Sequence, residues 1–225
     1  TRRAGFDPAD TLLTGMNRDV AAIERALNEG VGHLLVDNGA ELDRIEAAAC
    51  ETGTTPRVLL RGNPAIEVPT HPDVATATRE SKFGLDIDSG RAMAVAERIV
   101  ESNCVALAGV QLHVGSQIQA AEPYAVATRA MLDFAADVRD DLGVEIDVLD
   151  MGGGLPIPYD EAVPGTGEIV ETIARAIEER CSQHGLSQPT LFLEPGRRLV
   201  GTAGALVGTV GAIKETPGGT FAVLD

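Results

Sequence analysis

Three consecutive glycines follow a short apolar segment that ends in an acid, within residues 148–159 (VLDMGGGLPIPY). The apolar segment predicts a buried strand, and Gly152, Gly153 and Gly154 remove every side chain from the turn after it. Backbone N–H groups in such a turn can approach an anion closely, because no Cβ holds it away. From this motif alone two interpretations stay open, a phosphate cradle at the end of a barrel strand and a flexible loop between two elements.

Two further polar clusters, LHVGSQ at 112–117 and EPGR at 194–197, each follow or end an apolar segment. In the first, His113 suits either a core position or stacking on a flat ring, and Ser116 suits either a helix cap or a phosphate oxygen. In the second, Glu194 needs a partner with a proton if it is buried. That partner could be Arg197, Arg198 or the N–H of a heteroaromatic ring.

Gly196 with Arg197 would form a second anion-binding corner, opposite the three glycines.

The strands and helices that must position these groups alternate along the chain. Strands are predicted over 11–14, 33–37, 57–61, 106–114, 146–151 and 191–194. Helices are predicted over 17–30, with Asn17 as the N-cap and Gly30 as the stop, and over 39–53, 87–102, 122–142 and 168–184. Such alternation with short connections is typical of a parallel α/β fold. In a parallel β/α barrel the carboxyl ends of all strands share one rim, where active sites lie.

Two regions depart from the alternation. Residues 62–86 form a long connection, which predicts a dimer interface or a rim of the site, with a simple insertion as the alternative. Residues 201–225 are rich in Gly, Ala and Val and end in a strand-like tail after Pro217-Gly218-Gly219. We therefore predict a barrel domain over 1–200 and the start of a C-terminal β domain over 201–225.

Composition excludes several classes of function. The net charge of −16 argues against nucleic acid and against an anionic membrane surface, since either needs a basic face. No apolar run is long enough to span a bilayer, and the N-terminus lacks the core of a signal peptide. Cys50, Cys104 and Cys181 have no metal-binding spacing and predict reduced, mostly buried thiols in a cytoplasmic protein without a metal site. Two lysines against sixteen arginines fit either a salt-loving host or a GC-rich genome.

Four ordered motifs carry a resemblance that covers nearly the whole chain: SKFG at 81–84, LHVGSQ at 112–117, LDMGGG at 149–154 and EPGR at 194–197. Together they resemble the pyridoxal-phosphate-dependent decarboxylases that act on ornithine, diaminopimelate and arginine. RGNP at 61–64, His71 and Gln117 resemble the diaminopimelate branch. The resemblance implies an alanine-racemase-like (β/α)8 TIM-type barrel, here incomplete with about six β/α units.

The resemblance also implies roles for individual residues. His113 would stack on the cofactor ring, and Glu194 would face the pyridine nitrogen and keep it protonated. Arg197 would bind phosphate or a substrate carboxylate. Lys82 would make a contact between subunits rather than take part in catalysis. The groups expected to hold the phosphate of pyridoxal 5'-phosphate are Ser116, Gly152, Gly153, Gly154 and Gly196.

The implied reaction is decarboxylation of a small amino acid, meso-2,6-diaminopimelate to L-lysine and CO2, by a cytoplasmic homodimer. The family's Schiff-base lysine lies on the first barrel strand in a Lys-Ala-Asn-like context that this chain lacks, and Lys214 is a poor substitute. A Cys-Glu-Ser-like motif and a tyrosine of the family's C-terminal domain are also missing. We therefore expect a core fragment of a decarboxylase that is inactive alone.

Three alternatives remain open from the sequence. The first is a related decarboxylase whose substrate is carboxynorspermidine, arginine or ornithine. The second is a non-catalytic barrel relative that acts by binding another protein, although it would have no reason to keep His113 and Glu194. The third is a phosphosugar-binding barrel isomerase, which explains the phosphate corners but gives those two residues no paired role.

Overall fold

The computed structural model describes residues 2–66, 81–159 and 161–225. Two 3-10 turns, Arg2–Ala4 and Pro8–Asp10, come first. The strands are β1 (Leu12–Leu13), β2 (His33–Val36), β3 (Arg57–Asn63), β4 (Leu85–Asp86), β5 (Ala106–Gln111), β6 (Val148–Asp150), β7 (Thr190–Phe192), β8 (Val210–Thr216) and β9 (Gly219–Leu224). The helices are α1 (Val20–Glu29), α2 (Gly39–Thr52), α3 (Arg91–Glu101), α4 (Glu122–Leu142), α5 (Thr166–His184) and α6 (Gly196–Val200).

The main sheet is parallel, with the order β1-β2-β3-β5-β6-β7. The six predicted strands and the parallel α/β class are therefore confirmed. The short strand β4 was not predicted; it pairs with the end of β3, with Gly62 opposite Leu85. The architecture is that of a six-strand half-barrel.

Two apolar clusters cover the two faces of the sheet. The larger one lies between the sheet and the helices and contains Leu34, Val58 and Val110. The smaller one lines the inner face and contains Leu35, Leu59, Ala108 and Val148. Successive strand residues alternate between the clusters because the side-chain period of a strand is two. Burial on both faces explains why these strands are continuous apolar runs.

One predicted helix start was wrong. Helix α1 begins at Val20, and its N-cap is Asp19 rather than the predicted Asn17; the Asp19 side chain accepts a hydrogen bond from the N–H of Ala22 at 2.7 Å. The reason lies in Arg18, whose buried side chain pairs with Glu41 of α2 at 2.8 Å. This ion pair holds residue 18 against α2, so the helix starts only after it.

The prediction of three reduced thiols was wrong for two of them. Cys50 of α2 and Cys104, which lies between α3 and β5, form a disulfide with their Cα atoms 5.4 Å apart. Cys181 is free and buried, as predicted. Helices α2 and α3 are neighbours, since Arg98 of α3 bonds Asp43 and Glu46 of α2 at 2.8 and 3.0 Å. Their adjacency brings together cysteines 54 residues apart.

After α6 the chain forms an antiparallel hairpin of β8 and β9. Its turn consists of Pro217 and Gly218, and most of its side chains are exposed. The division into two domains at residue 200 stays a prediction. Of the long connection over 62–86, residues 67–80 lie outside the described part of the chain, as does His71.

No helix in the described ranges is both long and apolar enough to cross a membrane. Across the same ranges, no group of three or more His, Cys, Asp or Glu side chains is arranged to hold a metal ion.

The disulfide gives a test of the fold. Cys50→Ser should lower the free energy of unfolding by roughly 3–4 kcal/mol in oxidising buffer, since the cross-link closes a long loop. Urea unfolding with and without dithiothreitol measures this, and the reductant should lower the wild type to the level of the variant. Cys181→Ala is the matched control, because its effect should not depend on the reductant. A wild type with three thiols reactive under denaturing, non-reducing conditions contradicts the pairing.

Candidate functional site

Polar side chains meet where the strands of the main sheet end. Arg61 of β3 bonds Asp37, which follows β2, with 3.1 Å between Nη1 and Oδ1. The same Asp37 oxygen accepts the N–H of Gly84 at 3.2 Å, and the Arg61 guanidinium lies 4.7 Å from the centroid of the Phe83 ring. This places the SKFG motif at the rim beside β2 and β3. Lys82 lies against the Phe83 ring, at 5.3 Å from its centroid.

The three glycines form a tightly packed turn between the ends of β5 and β7. A Cβ on Gly153 would lie 2.4 Å from the carbonyl oxygen of Glu194, and one on Gly154 would lie 2.2 Å from that of Gly115. Gly152 and Gly154 also have positive φ, +64° and +84°. Glycine is therefore required here by backbone contact. This close packing rules out the interpretation of the glycines as a flexible loop.

Two of the three glycine amides already have acceptors. The N–H of Gly152 donates to Oδ1 of Asp150 at 2.8 Å, and that of Gly153 donates to Nδ1 of His113 at 3.0 Å. Among the described residues, the amide of Gly154 has no acceptor. If the turn binds an anion, Gly154 is the donor that remains for it, while Gly152 and Gly153 shape the turn.

His113 is a neutral imidazole in this arrangement. Its Nδ1 accepts from Gly153, so the ring proton sits on Nε2. Burial lowers the pKa of His113, and the positive charge of Arg61 lowers it further, whereas Glu194 opposes both. A neutral, flat ring of this kind can stack on another ring and is poorly suited to donate a proton as an acid.

Glu194 is held from β5 rather than by an arginine. Nε2 of Gln111 donates to Oε1 of Glu194 at 3.0 Å. The suggested arginines bond elsewhere: Arg198 donates to the carbonyl of Pro156 at 2.7 Å, and Arg197 donates to the hydroxyl oxygen of Ser116 at 3.2 Å. Gln111 was missed in the sequence. It lies inside the predicted strand 106–114, directly before the LHVGSQ motif, and this position was the signal that could have identified it.

Asp150 is fully buried next to Glu194. Burial raises its pKa to about 7, and the charge of Glu194 acts in the same direction, while the Gly152 amide and Arg61 act against them. The sequence placed Asp150 at the rim without giving it a role. Its Oδ2 has no hydrogen-bond donor among the described side chains and backbone groups.

Ser116 and Arg197 do come together, as the two predicted phosphate corners require. Arg197 donates to the hydroxyl oxygen of Ser116 at 3.2 Å and to that of Tyr159 at 2.9 Å. Gly196 opens α6, and its amide is already bonded to the carbonyl of Glu194 at 2.8 Å. The guanidinium of Arg197 and the Ser116 hydroxyl thus form a cationic, donor-rich corner at the rim.

Gln117 fixes the loop that carries Ser116. It has φ +57°, unusual for a residue other than glycine, and its side chain bonds both the N–H and the C=O of Ile157 at 3.1 and 2.5 Å. These bonds tie the loop after β5 to the segment after the three glycines. The motif residue Gln117 therefore has a structural reason to be there.

A cavity of about 360 Å³ opens beside these groups, between β1 and β7. Its lining residues are Asp10, Leu12, Asp150, Leu191, Phe192, Leu193 and Glu194. The rim around it offers a carboxylate at Glu194, a flat ring at His113, and donors at Ser116, Gly154 and Arg197. This set of groups fits a flat heteroaromatic molecule that carries a phosphate.

Known proteins share this chain's sequence and fold. Residues 1–201 match the family model of the pyridoxal binding domain of pyridoxal-dependent decarboxylases. The diaminopimelate decarboxylase of Halalkalibacterium halodurans is 36% identical over 218 residues, 96% of this chain and 50% of the relative. That of Pseudomonas aeruginosa is 38% identical over 223 residues, 99% of this chain and 51% of the relative.

A solved structure of a relative shares the fold of this chain. The diaminopimelate decarboxylase from M. jannaschii in co-complex with L-lysine superimposes with a TM-score of 0.83 at 33% identity. The match covers 100% of this chain and 51% of that one. The chain therefore spans about half the length of the relatives it matches.

The packed turn can be tested by adding one methyl group. Gly153→Ala should lower the free energy of unfolding by about 1–3 kcal/mol, because the new Cβ overlaps the Glu194 carbonyl and the backbone must shift. Gly167→Ala is the matched control: it lies in α5 with open space around it, so it should be neutral or slightly stabilising. Chemical denaturation measures both, and equal stabilities for the two variants contradict the packing.

Proposed function

Because this chain belongs to the family of pyridoxal-dependent decarboxylases, over its pyridoxal binding domain, we propose that the protein decarboxylates meso-2,6-diaminopimelate to L-lysine and CO2. The single observation that carries the chemistry is Glu194, held by Gln111 beside the glycine turn. The substrate is proposed from the relatives, which are diaminopimelate decarboxylases, one of them in complex with L-lysine.

We assign Glu194 to the ring nitrogen of pyridoxal phosphate. Bound pyridoxal phosphate supplies an electron sink for the charge left when CO2 departs, and a protonated ring nitrogen is what makes it effective. An ionised carboxylate facing that nitrogen stabilises its proton. Gln111 keeps the carboxylate oriented, since it occupies Oε1 at 3.0 Å.

His113 and the donor corner would position the cofactor. His113 would stack on the ring as a neutral imidazole, with its orientation set by the Gly153 amide at 3.0 Å. Ser116, Gly154 and Arg197 would hold the phosphate, and Arg197 is also placed to bind a substrate carboxylate. Gly152, Gly153 and Gly196 contribute the backbone shape. Phosphate contacts provide binding and orientation and make or break no bond themselves.

The assembly around this domain is proposed from the family. We propose a homodimer with residues 201–225 leading into a C-terminal β domain, and a cytoplasmic location. The chain's two lysines, Lys82 and Lys214, lie against Phe83 and in the exposed strand β8. Neither suits covalent attachment of the cofactor, so we propose that the lysine that attaches it lies outside these 225 residues.

The substrate and the role of Glu194 are tested together. The complete gene product should release CO2 from meso-diaminopimelate faster than from ornithine or arginine. Glu194→Gln should lower kcat on the order of 10²-fold or more, because the carboxylate acts electrostatically on the ring nitrogen. Glu178→Gln, an exposed acid on α5, is the matched control and should leave kcat unchanged. Preference for ornithine or arginine, or an unaffected Glu194 variant, would refute the assignment.

Covalent attachment is tested on the 225-residue chain. With one equivalent of pyridoxal phosphate and borohydride, neither Lys82 nor Lys214 should be labelled above the level of the amino-terminal amine, since neither lysine lies in the cofactor site. Intact-mass spectrometry followed by peptide mapping gives the result. Stoichiometric labelling of Lys82 or Lys214 would show that the chain supplies its own attachment lysine.

A further inference from the structure

Three polar side chains lie side by side on the inner face where β5, β6 and β7 end. Gln111 and Asp150 are register partners, and so are Asp150 and Phe192. Glu194 follows Phe192 by two positions, so the pleat returns it to the same face. The ladder continues that far, because the N–H of Glu194 donates to the carbonyl of Gly152 at 2.7 Å.

The hydrogen bonds of this row are incomplete if both acids are ionised. Asp150 is 0% exposed; its Oδ1 accepts from Gly152 at 2.8 Å, and its Oδ2 has no donor among the described residues. Glu194 offers only acceptor atoms when ionised. A proton on Oδ2 of Asp150 removes the difficulty, because that oxygen becomes a donor and the Glu194 side chain lies within hydrogen-bonding reach of Asp150. A buried polar group without a partner is costly, which favours the protonated arrangement.

One cation, Arg61, lowers the pKa of Asp150, but its effect is smaller than those of burial and of Glu194. Arg61 of β3 is paired with Asp37 at 3.1 Å. His113, just after β5, is neutral, and Asp10 adds a further acid to the lining of the same cavity. Gln111 is uncharged. Two contacting carboxylates in such surroundings cannot both ionise readily.

We infer that Asp150 is a positioning residue for Glu194: it holds a proton on Oδ2 and donates it to the Glu194 carboxylate, so that the pair bears one negative charge. Glu194 is then fixed from both sides, by Gln111 of β5 and by Asp150 of β6. This inference deepens the proposed function, on which it rests for the identity of the cationic ring, but the shared proton is a property of the cofactor-free protein.

The proton on Asp150 makes the stability of the folded state depend on pH. The pKa of Asp150 is raised to about 7, chiefly by burial and then by Glu194. The folded state therefore binds a proton that the unfolded state releases near the usual aspartate range. The stabilisation is fully present below that range and is lost as the pH rises through about 7.

The test uses the cofactor-free complete gene product. Infrared difference spectra between pH 5.5 and 8.5 should show loss of a carboxylic-acid carbonyl band with a midpoint near 7. The band should be absent in Asp150→Asn, which keeps the shape and the donor but cannot ionise. It should remain in Asp137→Asn, which changes an exposed acid on α4. A titrating band that persists in Asp150→Asn, or none in the wild type, overturns the inference.

Thermal unfolding gives an independent readout. The Tm of the wild type should fall between pH 5.5 and 8.5 by several degrees more than that of Asp150→Asn. If Asp150→Asn does not fold, Glu194→Gln replaces it: the glutamine amide donates to Asp150, so the infrared midpoint should move down by at least one pH unit. An unmoved midpoint in Glu194→Gln overturns the pairing.

Cofactor binding separates this inference from the proposed function. With pyridoxal phosphate added at pH 5.5, where Asp150 holds its proton, Asp150→Asn should keep the wild-type affinity and absorbance, whereas Asp150→Leu, which has no donor, should weaken binding at least tenfold. Equal affinities for the Asn and Leu variants would refute positioning through a hydrogen bond. A wild type that binds no pyridoxal phosphate refutes the proposed function, while the infrared titration still decides whether Asp150 shares a proton.

Discussion

The site depends on one steric constraint, the close approach of the Gly152–Gly154 turn to the backbone after β5 and β7. The Cβ positions of Gly153 and Gly154 are filled by carbonyl oxygens, at 2.4 and 2.2 Å. At this separation the turn itself orients the functional groups. Its amides bond Asp150 and His113, and the carbonyl of Gly152 accepts the N–H of Glu194. One backbone segment thus fixes residues from three strands, which flexible side chains could not do with the same precision.

A second polar network supports the opposite side of the rim. Glu41, fully buried, accepts from Arg18 at 2.9 Å and from the N–H of Asp37 at 3.0 Å. Asp37 in turn bonds Arg61, whose positive charge lowers the pKa of both His113 and Asp150. Arg18 also bonds the carbonyls of Leu13 and Leu35. The network links β1, β2 and α2 to the rim, and removing one member would leave a buried charge unpaired.

The sequence predicted the main strands because apolar runs bounded by glycine and helical periodicity are local signals. It missed β4 because a two-residue strand has no periodicity. It missed the disulfide because pairing Cys50 with Cys104 depends on α2 and α3 being neighbours, which no spacing reveals. The positions of Ser116 and Arg197 followed from strand ends that share one rim. The sequence did not reveal the two residues next to Glu194, because Gln111 and Asp150 approach it only through the strand register.

The charge of the Asp150–Glu194 pair has to suit the site both without and with a bound cationic ring. Without a cationic ring, two ionised carboxylates in a buried cavity repel each other and leave Oδ2 of Asp150 without a donor among the described residues, which would destabilise the fold. With a protonated ring nitrogen in place, one carboxylate is enough to balance its charge. A neutral glutamine at 150 would also avoid repulsion, but it would be longer and would displace the Gly152 amide from Oδ1, where the glycine turn is anchored at 2.8 Å. A short acid that keeps its proton satisfies the turn with one oxygen and Glu194 with the other.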